Sequence, residues 1–98
     1  MIDVLLLWPR SDETGLQDEI ESRLVPIMKE APGLLRLRIS DGDLMSRGGP
    51  PPYGKVIEAS YASLADWMAA VDVFKSRPDF AAFDRVAPLI VFFEARDA

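Results

Sequence analysis

Residues 34–40 read Leu34-Leu35-Arg36-Leu37-Arg38-Ile39-Ser40. Successive side chains of a β-strand point to opposite faces. Leu35, Leu37 and Ile39 therefore share one side, and Arg36, Arg38 and Ser40 share the other. A strand with one apolar and one polar face fits an antiparallel sheet covered on a single side. Working upstream, Pro32-Gly33 is helix-stop chemistry. Before it, Leu16, Ile20, Leu24, Ile27 and Met28 recur at helical spacing and mark one buried stripe. Asp12, Glu13 and Thr14 favour a helix start. Pro26 lies inside the pattern and predicts a kink, because it removes a donor and crowds the carbonyl of Ser22. Earlier still, Ile2–Trp8 is an apolar run of strand length broken by Asp3.

Downstream, Asp41-Gly42-Asp43 turns the chain, and a loop with three successive prolines follows (Pro50-Pro51-Pro52). Lys55–Tyr61 reads as a strand with Ile57, Ala59 and Tyr61 on one face and Val56, Glu58 and Ser60 on the other. Ser63-Leu64-Ala65-Asp66 is a helix N-cap with an acid three residues on. Leu64, Trp67, Met68, Val71 and Phe74 form the expected apolar stripe of that helix. Pro78 starts a short helix through Phe83–Val86, and Leu89–Phe93 is a last strand, apolar on both faces. The order βαββαβ, with right-handed crossovers, resolves as an α+β ferredoxin-like subunit: a four-stranded antiparallel sheet with its helices on one face. The uncovered face and the apolar edge strand call for a partner. The expectation is a homodimer packed sheet to sheet, forming a dimeric α+β barrel, with Arg36, Arg38, Glu58, Leu89, Val91 and Phe93 at the interface.

Composition narrows the chemistry. The 98 residues fit one domain, and 49% of them are hydrophobic, a balance typical of a soluble globular chain. There is no Cys and no His, which removes thiol nucleophiles, Ser-His-Asp relays and most transition-metal sites. The net charge of −5 argues against nucleic acid and anionic membrane as partners. No apolar run approaches the length of a membrane span, and no basic stretch precedes Val4–Trp8 as a signal peptide would require. The reading is a cytoplasmic protein with no cofactor and no metal.

Two motifs mislead. Gly49–Lys55 matches G-x-x-x-x-G-K, yet Val56 follows where Ser or Thr is needed, and the segment leads into a strand, not a helix. Asp41-Gly42-Asp43 lacks the remaining ligands of a calcium loop and reads as a turn. What remains is an aromatic set, Trp8, Tyr61, Trp67, Phe80 and Phe83. It either fills an ordinary core or lines an apolar pocket between sheet and helices. Tyr53 stands in the proline loop as a candidate gate. Arg36, Arg38 and Glu58 read as an interfacial ion-pair network, or alternatively as an anion site in the dimer seam.

The runs Pro26-Ile27-Met28 to Ala31-Pro32-Gly33-Leu34, Gly49-Pro50-Pro51-Pro52-Tyr53, and Glu58 followed by Ser63-Leu64 resemble the EthD family, the ethyl tert-butyl ether degradation proteins of the dimeric α+β barrel group. The resemblance implies the fold and dimer above, with a reaction pocket inside each subunit. It also implies kinship with cofactor-free monooxygenases, polyketide cyclases and muconolactone isomerases. Many such sequences carry a His two residues before the proline of the first helix; Leu24 occupies that place here and cannot move a proton. The ligand-binding candidates are therefore Trp8, Leu24, Tyr53, Tyr61, Trp67 and Phe83. The expected role is to bind a small hydrophobic metabolite or to accompany an oxidative catabolic pathway, without strong catalysis. The alternative is a cofactor-independent cyclase, isomerase or monooxygenase using Tyr or Glu as acid or base.

Overall fold

In this computed structural model, which describes residues 1–12, 15–77 and 87–98, six elements follow one another. They are β1 (Ile2–Pro9), α1 (Leu16–Lys29), β2 (Leu34–Ile39), β3 (Tyr53–Tyr61), α2 (Leu64–Lys75) and β4 (Leu89–Glu94). The strands form one sheet in the order β2-β3-β1-β4, with every neighbouring pair antiparallel. This is the ferredoxin-like arrangement, with β2 and β4 at the edges. The expected helix start at Glu13 and Thr14, and the short helix from Pro78 through Phe83–Val86, lie outside the described residues, as do Phe80 and Phe83 themselves.

Register assigns the two faces. On the helix side, β1 contributes Ile2, Val4, Leu6 and Trp8, and β3 contributes Ile57, Ala59 and Tyr61, all buried. Leu16, Ile20, Leu24, Ile27 and Met28 of α1 close over them. Every residue of the predicted α1 stripe is buried. The other face carries Leu5 and Leu7 of β1, Glu58 and Val56 of β3, and Leu89, Val91 and Phe93 of β4, in register with one another.

Three local expectations change. In β2 the register shifts between Leu34 and Arg36, so Leu35 is the extra residue of a bulge and is 59% exposed. Leu34, Leu37 and Ile39 face the core instead. The bulge keeps Arg36 opposite Ser60 and Arg38 opposite Glu58. At the start of α1 the cap is Gly15, at φ 83 and with no side-chain hydrogen bond, in place of an acidic or hydroxyl cap. In α2 the buried residues are Trp67, Ala70 and Phe74, whereas Leu64 and Met68 of the expected stripe are exposed. The helix is rotated so that Ala70, small enough for close approach, meets the sheet. Its predicted cap holds: the Ser63 hydroxyl accepts from the Asp66 amide at 3.2 Å.

Helix α1 runs through Pro26 to Lys29, with Glu30 as its C-cap, and Gly33 (φ +83) then redirects the chain into β2. A Cβ at Gly33 would come within 3.0 Å of the Asp66 side chain, so this turn demands glycine on both conformational and steric grounds. Among the described residues, no helix is long and apolar enough to cross a membrane.

Candidate ligand-binding site

The helix-covered side of the sheet does not close completely. At the end of the sheet where β1 finishes and β4 begins, a cavity of about 230 Å³ lies between Leu6 and Trp8 of β1, Leu24 and Met28 of α1, Trp67 and Phe74 of α2, and Ile90 of β4. Local sequence explains each wall. Strand alternation turns Leu6 and Trp8 inward together, and the i, i+4 spacing of Leu24 and Met28 stacks them on one helix face. Ala70 and Ala59, both fully buried, fill little space between larger neighbours.

Aromatic rings continue the wall. Trp67 sits between Tyr61 and Phe92, with ring centroids 5.4 Å and 6.3 Å away and tilted planes, a favourable geometry for aromatic pairs. Tyr61 lies behind Trp67 and is not a residue of the cavity lining. Its hydroxyl is buried with no hydrogen-bond partner among the described residues, and burial pushes its pKa up to about 12. Such a phenol holds its proton at neutral pH and is poorly suited to act as a base. The indole Nε1 of Trp8 is also buried and without a partner among the described residues.

Trp8 has a second neighbour. Beside it, at the N-terminal end of α1, lies a polar recess of about 330 Å³ whose walls include Ser11, Gln17, Asp18, Asp43 and Lys55. Lys55 is only 4% exposed. Its ammonium donates to the Ser40 carbonyl at 3.0 Å and pairs with Glu21 at 3.3 Å. Gly54, skipped by the register irregularity after Trp8, accepts a hydrogen bond from Gln17 at 3.1 Å. Lys55 thus ties α1 and the β2–β3 loop to the sheet. The G-K pair of the apparent phosphate loop sits inside strand β3, and its lysine is already engaged.

Trp8, Leu24 and Trp67 therefore meet around one cavity. Tyr53, half-buried at the start of β3, stands opposite Pro9 and away from the cavity lining. Arg38 and Glu58 meet across β2 and β3 on the open face, Nε to Oε1 at 3.3 Å, and Arg36 lies beside them on the same face. Leu89, Val91 and Phe93 lie at the far side of that face, each more than 40% exposed. Two features escape a reading of the sequence. One is buried Lys55. The other is the bond in which the Ser60 hydroxyl donates to the Asp3 carboxylate at 2.6 Å. Their cross-strand pairing is the available signal: Asp3 interrupts an apolar run, and only a polar neighbour in register satisfies it.

No protein-family model matches the chain, and no curated protein matches it either. Solved structures do. An ethyl tert-butyl ether degradation (EthD) family protein from Bacillus halodurans C-125 superposes with a TM-score of 0.75 at 14% identity, covering 98% of this chain and 99% of that one. SnoaB, a cofactor-independent oxygenase from Streptomyces nogalater, superposes at 0.67 and 14% identity, covering 99% and 94%. A dimeric ferredoxin-like protein of unknown function from Jannaschia sp. CCS1 superposes at 0.61 and 18% identity, covering 96% and 97%. The chain has the fold of these proteins over essentially its whole length.

Proposed function

We propose that the protein is a homodimeric, EthD-like binder of a small hydrophobic compound, acting alongside oxidative catabolism without strong catalysis of its own. The observation that carries this reading is the apolar cavity between Trp8, Leu24 and Trp67. Burying a small aromatic compound there gains the usual hydrophobic transfer energy of about 25 cal/mol per Å². The wall position that resembles the family's histidine is Leu24, 3% exposed, so that place offers apolar contact and no proton. The dimer reading is supported by the exposed apolar side chains of β4 and by the likeness to a dimeric ferredoxin-like protein.

The alternative, a cofactor-independent oxygenase, cyclase or isomerase, draws support from the likeness to SnoaB. It is weakened by where its acid–base candidates lie. Glu58 pairs with Arg38 on the face opposite the cavity, and the Tyr61 phenol is held protonated.

Titration of tryptophan fluorescence with mono- and bicyclic aromatic compounds tests the binding reading. Saturable quenching is expected in the native protein. It is expected to disappear in Val71→Phe, which places extra volume at the cavity wall. Absence of saturation with any compound, or unchanged binding in Val71→Phe, would overturn it. Rapid turnover of an aromatic ketone or phenol, lost on Tyr61→Phe, would establish the enzyme instead.

A further inference from the structure

Two hollows of opposite character meet at one side chain. The apolar cavity of about 230 Å³ and the polar recess of about 330 Å³ share Trp8, and no other described residue belongs to both walls. Helix α1 divides in the same way. Its buried Leu16 and Ile20 line the recess, and Leu24 and Met28, one and two turns on, line the cavity. Trp8 packs in the same core as this stripe and is 1% exposed. In the sheet it stands opposite Lys55 of β3, and directly opposed residues have Cβ atoms about 4.5–5.5 Å apart on one face. Lys55 is itself anchored, its ammonium held by the Ser40 carbonyl at 3.0 Å and by Glu21 at 3.3 Å. The indole therefore stands beside a neighbour that is tied to α1 and to the β2–β3 loop.

The two hollows suit different chemistry. Ser11, Gln17, Asp18 and Asp43 give the recess hydroxyl, amide and carboxylate groups that hold water or a polar substituent. Leu6, Leu24, Met28 and Phe74 give the cavity walls that favour an apolar body. Resting on the binding function proposed above, we propose that Trp8 is the residue that determines specificity at this end of the cavity. Its indole is a partition. It admits a compact apolar ring compound and rejects one whose polar tail points towards the start of α1. Selectivity of this kind comes from an obstacle as much as from a contact. A smaller side chain at position 8 joins the hollows into one site with an apolar end and a polar end.

The test uses the full chain labelled with ¹⁵N and two probes with the same rings, naphthalene and 2-naphthaleneethanol. The Trp67 indole resonance reports the cavity and gives the affinities; it is the one indole left in Trp8→Leu. Gln17 reports the recess. The chain has no asparagine and no second glutamine, so Gln17 gives its single pair of side-chain amide resonances. In the native protein both probes are expected to leave that pair in place. In Trp8→Leu the alcohol is expected to move it, which naphthalene does not do. The affinity of the alcohol relative to naphthalene is expected to rise about tenfold over the native ratio, from two further buried methylene groups. Movement of the Gln17 pair by either probe in the native protein would overturn the partition while leaving the cavity a binding site. An unmoved pair, or an unchanged ratio, in Trp8→Leu would do the same. If neither probe binds the native protein, the binding function itself falls. Should Trp8→Leu fail to fold, Trp8→Phe, with its smaller ring, is read by the same pair and the same ratio.

Discussion

The two faces of the sheet are made from the same four strands and have opposite characters. On the covered face, every described β1 and β3 side chain from Val4 to Leu6 and from Ile57 to Tyr61 that points inward is 6% exposed or less. On the open face a gradient runs across the strands. Arg36 and Arg38 stand on β2 and Glu58 and Ser60 on β3. Asp3, Leu5 and Leu7 stand on β1, and Leu89, Val91 and Phe93 on β4. One edge of the open face is an ion-paired surface, and the opposite edge is an apolar strip. In β1 and β3 alternation defines the covered face, whereas the open face takes its meaning from strand order, which sets sequence-distant residues side by side.

The largest break between the faces is expected from neighbouring residues of β3. Ile57 is fully buried and Val56 is half-buried on the other side. Ile57→Ala should cost about 2–5 kcal/mol in urea unfolding, as large-to-small core changes do. Val56→Ala should cost well under half of that. Equal penalties would mean that the open face is as tightly packed as the core, which only a permanent partner could achieve.

The open-face gradient is broken next. Val91→Arg sets a charge in the middle of the apolar β4 strip, opposite Leu5. In a sheet-to-sheet homodimer, this buries two unpaired cations about the two-fold axis. A weakening of association by at least about a hundredfold is expected from the cost of burying an unpaired charge. Light scattering across a dilution series would check it, with the native protein at dimer mass and the variant at 10.9 kDa. A native protein that is monomeric at high concentration removes the dimer, and with it the explanation of why this strip stays apolar.

The same contrast separates the features that amino-acid order makes legible from those it hides. The covered face is legible because its signals are local. Leu16 to Met28 follow helical spacing, Ile57 to Tyr61 follow strand spacing, and Ser63 with Asp66 cap α2 as their separation implies. The βαββαβ order is legible for the same reason. The bulge at Leu35 is not, since an extra residue in a strand leaves no mark in a six-residue alternating run. Nor is the rotation of α2, because its sequence is apolar around much of its circumference and Ala70 competes with Met68 for the sheet. At the cavity, aromatic residues mark Trp8 and Trp67, and a resemblance marks Leu24. The sequence does not separate Tyr61 from the lining, because ring depth is set by packing, not by face. The burial of Lys55 depends on Glu21 and Ser40, both distant along the chain.

A smaller effect sharpens the contrast inside the covered face. Leu24→His introduces an imidazole among Leu6, Trp8 and Met28. Burial there disfavours the charged form and lowers the imidazole pKa below its usual value of about 6.5. On acidification the unfolded chain takes up the proton first, so stability falls as pH drops through the unfolded value. The penalty of the substitution should grow by about 1 kcal/mol for each unit of pKa depression between pH 8 and pH 5. Urea midpoints at the two pH values measure this. The same penalty at both would mean that solvent reaches position 24 and that the cavity is open to water.

The smallest effect concerns the Tyr61 hydroxyl, which is buried on the covered face without a partner among the described residues. Removing an unsatisfied buried group relieves its desolvation cost, so Tyr61→Phe should be neutral or stabilising by up to about 1 kcal/mol at pH 7. Alkali separates the two proteins further. In the unfolded chain the phenol ionises near pH 10, and in the native state burial holds it protonated until about pH 12. Below pH 10 both states carry the proton, and the group adds no pH dependence. As pH rises from 10 towards 12, the unfolded state alone releases it, and the native protein loses stability. Every other group is common to both proteins and cancels in the difference. Native protein minus Tyr61→Phe should therefore be flat to pH 10 and slope downward beyond it. Parallel curves throughout would mean that the phenol ionises freely in the folded state. The covered face would then admit water at Tyr61, and the hydroxyl would again be a candidate for acid–base chemistry.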